Sequence, residues 1–321
     1  MASGNKSRNH HWWPVGLQSY WADRAGNVSW IEPNCKIEKK RSVNRKIGLK
    51  IHGHTIFRGT GWESNFEDEF DIDSEVHEII LALQRMRPFG RTLNEFITLI
   101  KLLGNKDRSL RNMCKFYHLN EELHRNLLLL IHSLLIRSPK SRSQYEGYAK
   151  LIGNRPNEDV GKANMVQNYR IAKKLCQRAP ILNQYFVLMH SPLKKFLYGD
   201  GTLDWLTDGL VANRINGKAL LPLTPHLCVY FCTPTSMRST PNCAALTVAP
   251  WIVDWVNNIT QVYSKDKLFF LGKPPKLTDA FRQRQHLEHK EKKDALIDML
   301  DEIAGMSDDR YLPFVRYFPR R

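Results

Sequence analysis

Asn120-Glu121-Glu122-Leu123-His124-Arg125-Asn126-Leu127-Leu128-Leu129-Leu130-Ile131-His132-Ser133-Leu134-Leu135-Ile136-Arg137-Ser138-Pro139 is the stretch on which the architecture turns. Asn120 is a good helix N-cap, and Glu121 and Glu122 complement the positive end of the helix dipole. The apolar run that follows is too short to cross a bilayer and is broken by His132 and Ser133. Ser138-Pro139 ends the helix, because the residue before a proline is pushed out of helical conformation. The segment therefore predicts one buried helix at the centre of a globular protein.

Helical patterning extends to both sides. Val76, Ile79, Ile80 and Leu83 recur at helical spacing in a segment running to Arg85. Thr92 and Glu95 form a capping-box pattern that opens Leu93–Leu103. Two more helices are expected near 141–152 and 160–177. After Pro180 the texture changes. Tyr185–Met189, Phe196–Tyr198, Ala219–Leu221, Leu227–Phe231 and Leu268–Phe270 are short apolar runs bounded by Pro and Gly, and read as strands. Trp251–Val262 and a long charged segment, Thr278–Met306, read as helices. Near the start, a short helix after Pro14, a turn at Ala25-Gly26-Asn27 and a strand at Val28–Ile31 are expected. The fold class is α+β: a helical middle packed on a small C-terminal sheet joined by an N-terminal strand. The 321 residues form one large domain with subregions 9–60, 67–178, 180–275 and 276–321.

Lys and Arg number 48 against 32 Asp and Glu, a formal net charge of +16. An excess of that size favours a polyanionic partner, nucleic acid first, over a membrane surface. Lys39, Lys40, Arg41, Arg45 and Lys46 lie in a basic stretch from Lys36 to Lys50, which reads either as a solvated face or as a strip of phosphate contacts. The acidic residues from Glu63 to Glu75 read as helix-start acids rather than metal ligands. Six scattered cysteines without a CxxC pair, and a polar basic opening, predict free thiols in a reducing cytoplasm. His226, Cys228, Tyr230 and Cys232 alternate along one strand, a poor match to zinc-ligand spacing. No metal or other cofactor is expected. Phosphate-loop, nucleophile-elbow and zincin motifs are absent. The tail Arg310–Arg321 interleaves basic and aromatic residues, and reads as an apolar tail docked on the body.

Five separated segments carry a resemblance. His10-His11-Trp12-Trp13-Pro14, Arg137-Ser138-Pro139-Lys140-Ser141-Arg142, Phe196 with Asp200, Pro222-Leu223-Thr224-Pro225, and Asn257 or Asn258 occur in this order over residues 9–265. Together they resemble the bacterial family catalogued as domain of unknown function 4238. Gly201-Thr202 stands where that family usually has Asn-Pro. The resemblance implies a site assembled from His10, His11, Arg137, Arg142, Asp200 and an Asn, and makes a toxin or defence role conceivable. Two His, two Arg and an Asp suit phosphodiester chemistry, with His as acid and base and Arg against phosphate. The structural alternative is an Arg that caps a helix and pairs with Asp200. Arg125 and His132, two turns apart on one helix, resemble the Arg-x4–6-His motif of HEPN ribonucleases. The expectation is a metal-independent ribonuclease acting as a nucleic-acid-directed effector, with RNA before DNA as partner. The competing expectation is a non-enzymatic basic module binding nucleic acid or protein, with a protein partner or self-association possible.

Overall fold

The computed structural model describes residues 9–41, 47–58, 62–88, 110–178, 184–205, 217–234, 241–284 and 294–305, with isolated positions Leu93, Ile97 and Ile100. The helical middle comprises α2 (Val76–Arg85), α3 (Glu121–Arg137), α4 (Pro139–Gly147) and α5 (Glu158–Arg178). The Asn120 side chain accepts from the Leu123 N–H at 2.8 Å and starts α3. Ser138 both ends α3 and restarts the chain as α4, its hydroxyl accepting from the Ser141 N–H with Pro139 in the first turn. The Arg-Ser-Pro-x-x-Arg step is thus a bend between two helices. It sends Arg137 and Arg142 off neighbouring helix ends.

Two sheets flank these helices. The larger is mixed and six-stranded, ordered β10 (Leu203–Asp204), β11 (Lys218–Thr224), β12 (Leu227–Cys232), β8 (Tyr185–His190), β13 (Cys243–Thr247), β7 (Lys115–Tyr117). Only β13 and β8 run parallel. All residues of β8, β12 and β13 are buried, so these runs are apolar throughout rather than alternating. The smaller sheet is antiparallel, ordered β3 (Ile37–Arg41), β2 (Asn27–Ile31), β14 (Leu268–Phe270), β9 (Tyr198–Gly199). Two ribbons complete the strands: β1 (Asn9–His11) with β4 (Leu49–Ile51), and β5 (Thr55–Arg58) with β6 (Trp62–Asn65).

The α+β class is confirmed, with adjustments. The N-terminal strand does return to C-terminal strands, but in a sheet separate from the large one. Lys115–Tyr117, from the expected helical middle, adds an edge to the six-stranded sheet. Thr278–Met306 is not one helix. α7 (Asp279–Arg282), capped by Thr278, gives way to Arg284 at φ 53, and extended Asp294 caps a separate α8 (Ala295–Ala304). Thr92–Leu103 apart from its isolated positions, Arg45 and Lys46, and the Arg310–Arg321 tail lie outside the described residues. Among the described residues no helix is long and apolar enough to cross a membrane.

A close crossing joins the two halves. The chain at Gly201 runs against the end of α6 (Pro250–Tyr263), where a Cβ on Gly201 would sit 2.1 Å from the Tyr263 carbonyl oxygen. Glycine here serves backbone approach rather than a turn. This explains the glycine directly after Asp200.

Candidate functional site

His10 sits on β1, opposite Lys50 of β4. Its Nδ1 accepts the His54 backbone N–H at 2.6 Å, which puts the proton of its neutral ring on Nε2. The His54 ring stacks on it with centroids 5.0 Å apart, and its other neighbours are Phe70 and Phe66. Arg137 reaches the same place from the last turn of α3. It donates to both carboxylate oxygens of Asp73, at 2.9 and 2.6 Å, and to the His11 carbonyl at 3.3 Å. Its Nε bonds the Ser133 carbonyl, and its guanidinium lies 4.4 Å from the Phe70 ring centre. Arg142, one turn into α4, packs against Gly53. Lys50 is held by Glu158 at 2.9 Å and Glu146 at 3.6 Å.

Three of the expected residues, His10, Arg137 and Arg142, therefore meet. The node is sealed, however. His10, His54 and Arg137 have no exposed surface, and Arg142 is 7% exposed. Burial, then the nearby Arg137 and Arg142 charges, hold His54 well below the usual histidine range, so it stays neutral. His11 is partly exposed. A bidentate Arg–carboxylate pair backed by an aromatic ring is also what a structural tie between segments looks like.

Asp200 does not join this node, and it is not the partner of Arg137. Its two oxygens accept the Lys265 and Asp266 backbone N–H groups at 2.8 and 2.9 Å, clamping the turn after α6. Burial pushes its carboxyl up to about 6 against the pull of those two N–H groups. Tyr198, fully buried and stacked on Trp13, feels Arg137, Asp73 and Asp200 alike, so it is the nearest link between the two sites. Asp200→Ala should cost about 1–2 kcal/mol, because two partly buried N–H groups lose their acceptor. Urea denaturation measures this, and amide exchange at residues 265 and 266 should accelerate. A loss under about 0.5 kcal/mol would refute the clamp.

The Arg125/His132 pair shares a helix face but not a cleft. His132 is completely buried with Nδ1 against the Leu128 carbonyl, and burial lowers its pKa. Arg125 bonds the Glu121 carbonyl at the surface. The expected ribonuclease geometry needs both groups in one accessible cleft, and that is missing here. The described cysteines are free thiols, and burial drives Cys114 and Cys176 up to about 12.

His54 and Asp73 were not singled out in the sequence. Asp73 belongs to an acidic run whose members prove to be partners of basic helices: Asp71 pairs with Lys173, and Glu69 pairs with Arg170. The signal was the density of acids in a strongly basic chain, which implies partners beyond a helix dipole.

A second concavity lies elsewhere. A cleft of about 980 Å³ runs between the 193–197 loop, α6 and the 271–282 segment. Two buried amides of α6 pin its walls. The Asn257 amide accepts the Leu197 N–H and donates to the Lys195 carbonyl. The Gln261 amide accepts the Thr278 N–H and donates to the Lys276 carbonyl. Lys194, Lys195, Lys273, Lys276 and Arg282 line the cleft against Asp254 and Asp279. Of these five cations, only Lys194 enters an ion pair among the described residues, with Asp254. Gly272, at φ 97, turns the wall so that the Lys195 ammonium comes within 3.4 Å of where a Cβ would stand. Asn257, an expected site residue, is thus a structural floor of this cleft.

No family model, curated protein or solved structure matches this chain.

Proposed function

We propose that the protein is a non-enzymatic nucleic-acid-binding module, RNA before DNA, that works through a continuous basic face. One observation carries this reading. Lys39 pairs with Ser29, and Ser29 pairs with Phe270, so the three lie side by side on one face of the small sheet. Phe270 is part of the cleft wall. Neighbouring strands are about 4.8 Å apart, so Lys39 stands about 10 Å across the sheet from the Phe270 position on the wall of the lysine-lined cleft. Lys39 and Lys40 are exposed on an edge strand, with exposed Lys36 just before it. Lysines on an edge also deter strand-to-strand association, a role compatible with phosphate contact.

A catalytic reading from His10, Arg137 and Asp200 finds less support, since the first two are sealed and the third clamps a turn. His11 is the one histidine of the opening pair with partial exposure. The resemblance to domain of unknown function 4238 and the cytoplasmic setting remain part of this proposal. A toxin or defence role is a further extension of it.

Binding of a fluorescent twelve-residue oligouridylate, followed by polarisation, tests the reading. Four phosphate contacts on a single strand should weaken affinity about fifty-fold between about 50 and about 200 mM salt. A flat salt response, or no binding at the lower salt, would overturn the proposal. Loss of input RNA that depends on His11 would instead support cleavage.

A further inference from the structure

The outer face of α6 bears Trp251, Asp254, Trp255 and Asn258, at the i, i+3, i+4, i+7 spacing of one helix stripe. Asp254 and Asn258 line the cleft, and the two tryptophans lie beside them on the same stripe of α6, outside its lining. They are 37% and 39% exposed, unusual for the largest apolar side chain. Their rings meet edge to face with centroids 4.9 Å apart, so the two form one partly exposed aromatic patch. Leu193, 72% exposed, adds an apolar step on the opposite wall. Phosphate-sized cations in a trough, with flat aromatic surface beside it, match the two halves of an unpaired nucleotide strand. A duplex would present stacked bases that the tryptophans cannot reach.

We propose that this cleft is a single-strand nucleic-acid site: Lys195, Lys273, Lys276 and Arg282 track the sugar-phosphate backbone, and Trp251 and Trp255 stack bases. This rests on the nucleic-acid reading above and locates it. The amide-pinned walls fix the backbone that carries Lys195 and Lys276 before the strand arrives, which lowers the ordering cost of binding.

The test uses the full chain with the same twelve-residue oligouridylate and a self-complementary RNA duplex. Trp255→Ala should weaken single-strand binding roughly tenfold and leave the salt slope unchanged, because stacking is not an ionic contact. Lys273→Gln with Lys276→Gln should weaken binding and reduce the salt slope by about 1.4, two contacts on a single strand. Lys39→Gln is the comparison at the far end of the face. All three proteins must match the parent in thermal melts, and these exposed sites should allow it. Wild-type protein that binds while both cleft variants bind equally well overturns the cleft and leaves the general reading standing. A duplex bound as tightly as the single strand overturns the stacking. Wild-type protein that binds neither RNA overturns both proposals.

Discussion

Replacing Arg137 with Met should destabilise the protein by about 3 kcal/mol or more, with no accompanying loss of nucleic-acid binding in the population that remains folded. The guanidinium has no exposed surface, while Asp73 keeps 30% of its side chain in water. Removing the cation leaves a partly buried carboxylate without its bidentate partner, and breaking such pairs costs about 3–5 kcal/mol. Water at Asp73 relieves some of that, while loss of the contact with Phe70 and of the bond to the His11 carbonyl adds to it. Asp73→Asn should also be costly, because Arg137 remains charged in its sealed position. Combining Arg137→Met with Asp73→Asn should cost less than the two single changes summed. Equilibrium denaturation reads all three. A change below about 0.5 kcal/mol for Arg137→Met would show that the node does not tie the N-terminal ribbon to α3.

The second large effect is with pH. Burial lowers His54, His124, His132 and His190, the last to about 4. Unfolded histidines take up protons near 6.5, while these folded ones do not. The unfolded state therefore binds more protons over that range, and stability falls as pH falls. The contribution is fully present above about pH 6.5, and for His190 alone it is worth about 3 kcal/mol, lost on descent to about pH 4. Asp200 works the other way. Its folded carboxyl keeps a proton up to about 6, so it adds stability as pH falls toward the ordinary aspartate range. One group opposes four, and the histidines dominate. Melting temperature should drop steeply between pH 7 and pH 5, and His190→Met should flatten that drop. Equal or higher stability at pH 5 would contradict the buried neutral histidines.

Much of the fold was legible because its signals are local. The Asn120 cap, the Ser138-Pro139 break and the short apolar runs of β8, β12 and β14 each act within a few residues. Boundaries failed where a distant side chain intervenes. Phe196-Leu197-Tyr198 reads as a strand, yet the Leu197 N–H goes to Asn257, and pairing begins only at Tyr198. The charged periodicity of 278–306 hides the non-helical backbone at Arg284 and at Asp294, since solvated helical residues and irregular ones share a composition. Lys36–Lys50 reads as solvated loop because its lysines mask an edge strand, Ile37–Arg41.

The candidate site was legible only as a set of polar residues out of place. Their convergence was partly foreseen, for His10, Arg137 and Arg142, because they mark the separated segments that carry the family resemblance. Their burial was not, since nothing in the local sequence shows that His54, Phe66 and Phe70 close over them. The cleft was missed altogether. Its cations come from segments about 80 residues apart, Lys194–Lys195 and Lys273–Arg282, that look unremarkable singly in a chain with 48 basic residues.

Photocrosslinking places the binding surface most directly. A single-stranded RNA carrying 4-thiouridine, irradiated on the full protein and mapped by peptide mass spectrometry, should attach within residues 251–258 and 270–282, with weaker attachment near Lys39. Attachment centred on residues 9–11, 50–54 and 137–142 would place the nucleic acid at the histidine–arginine node and contradict this account.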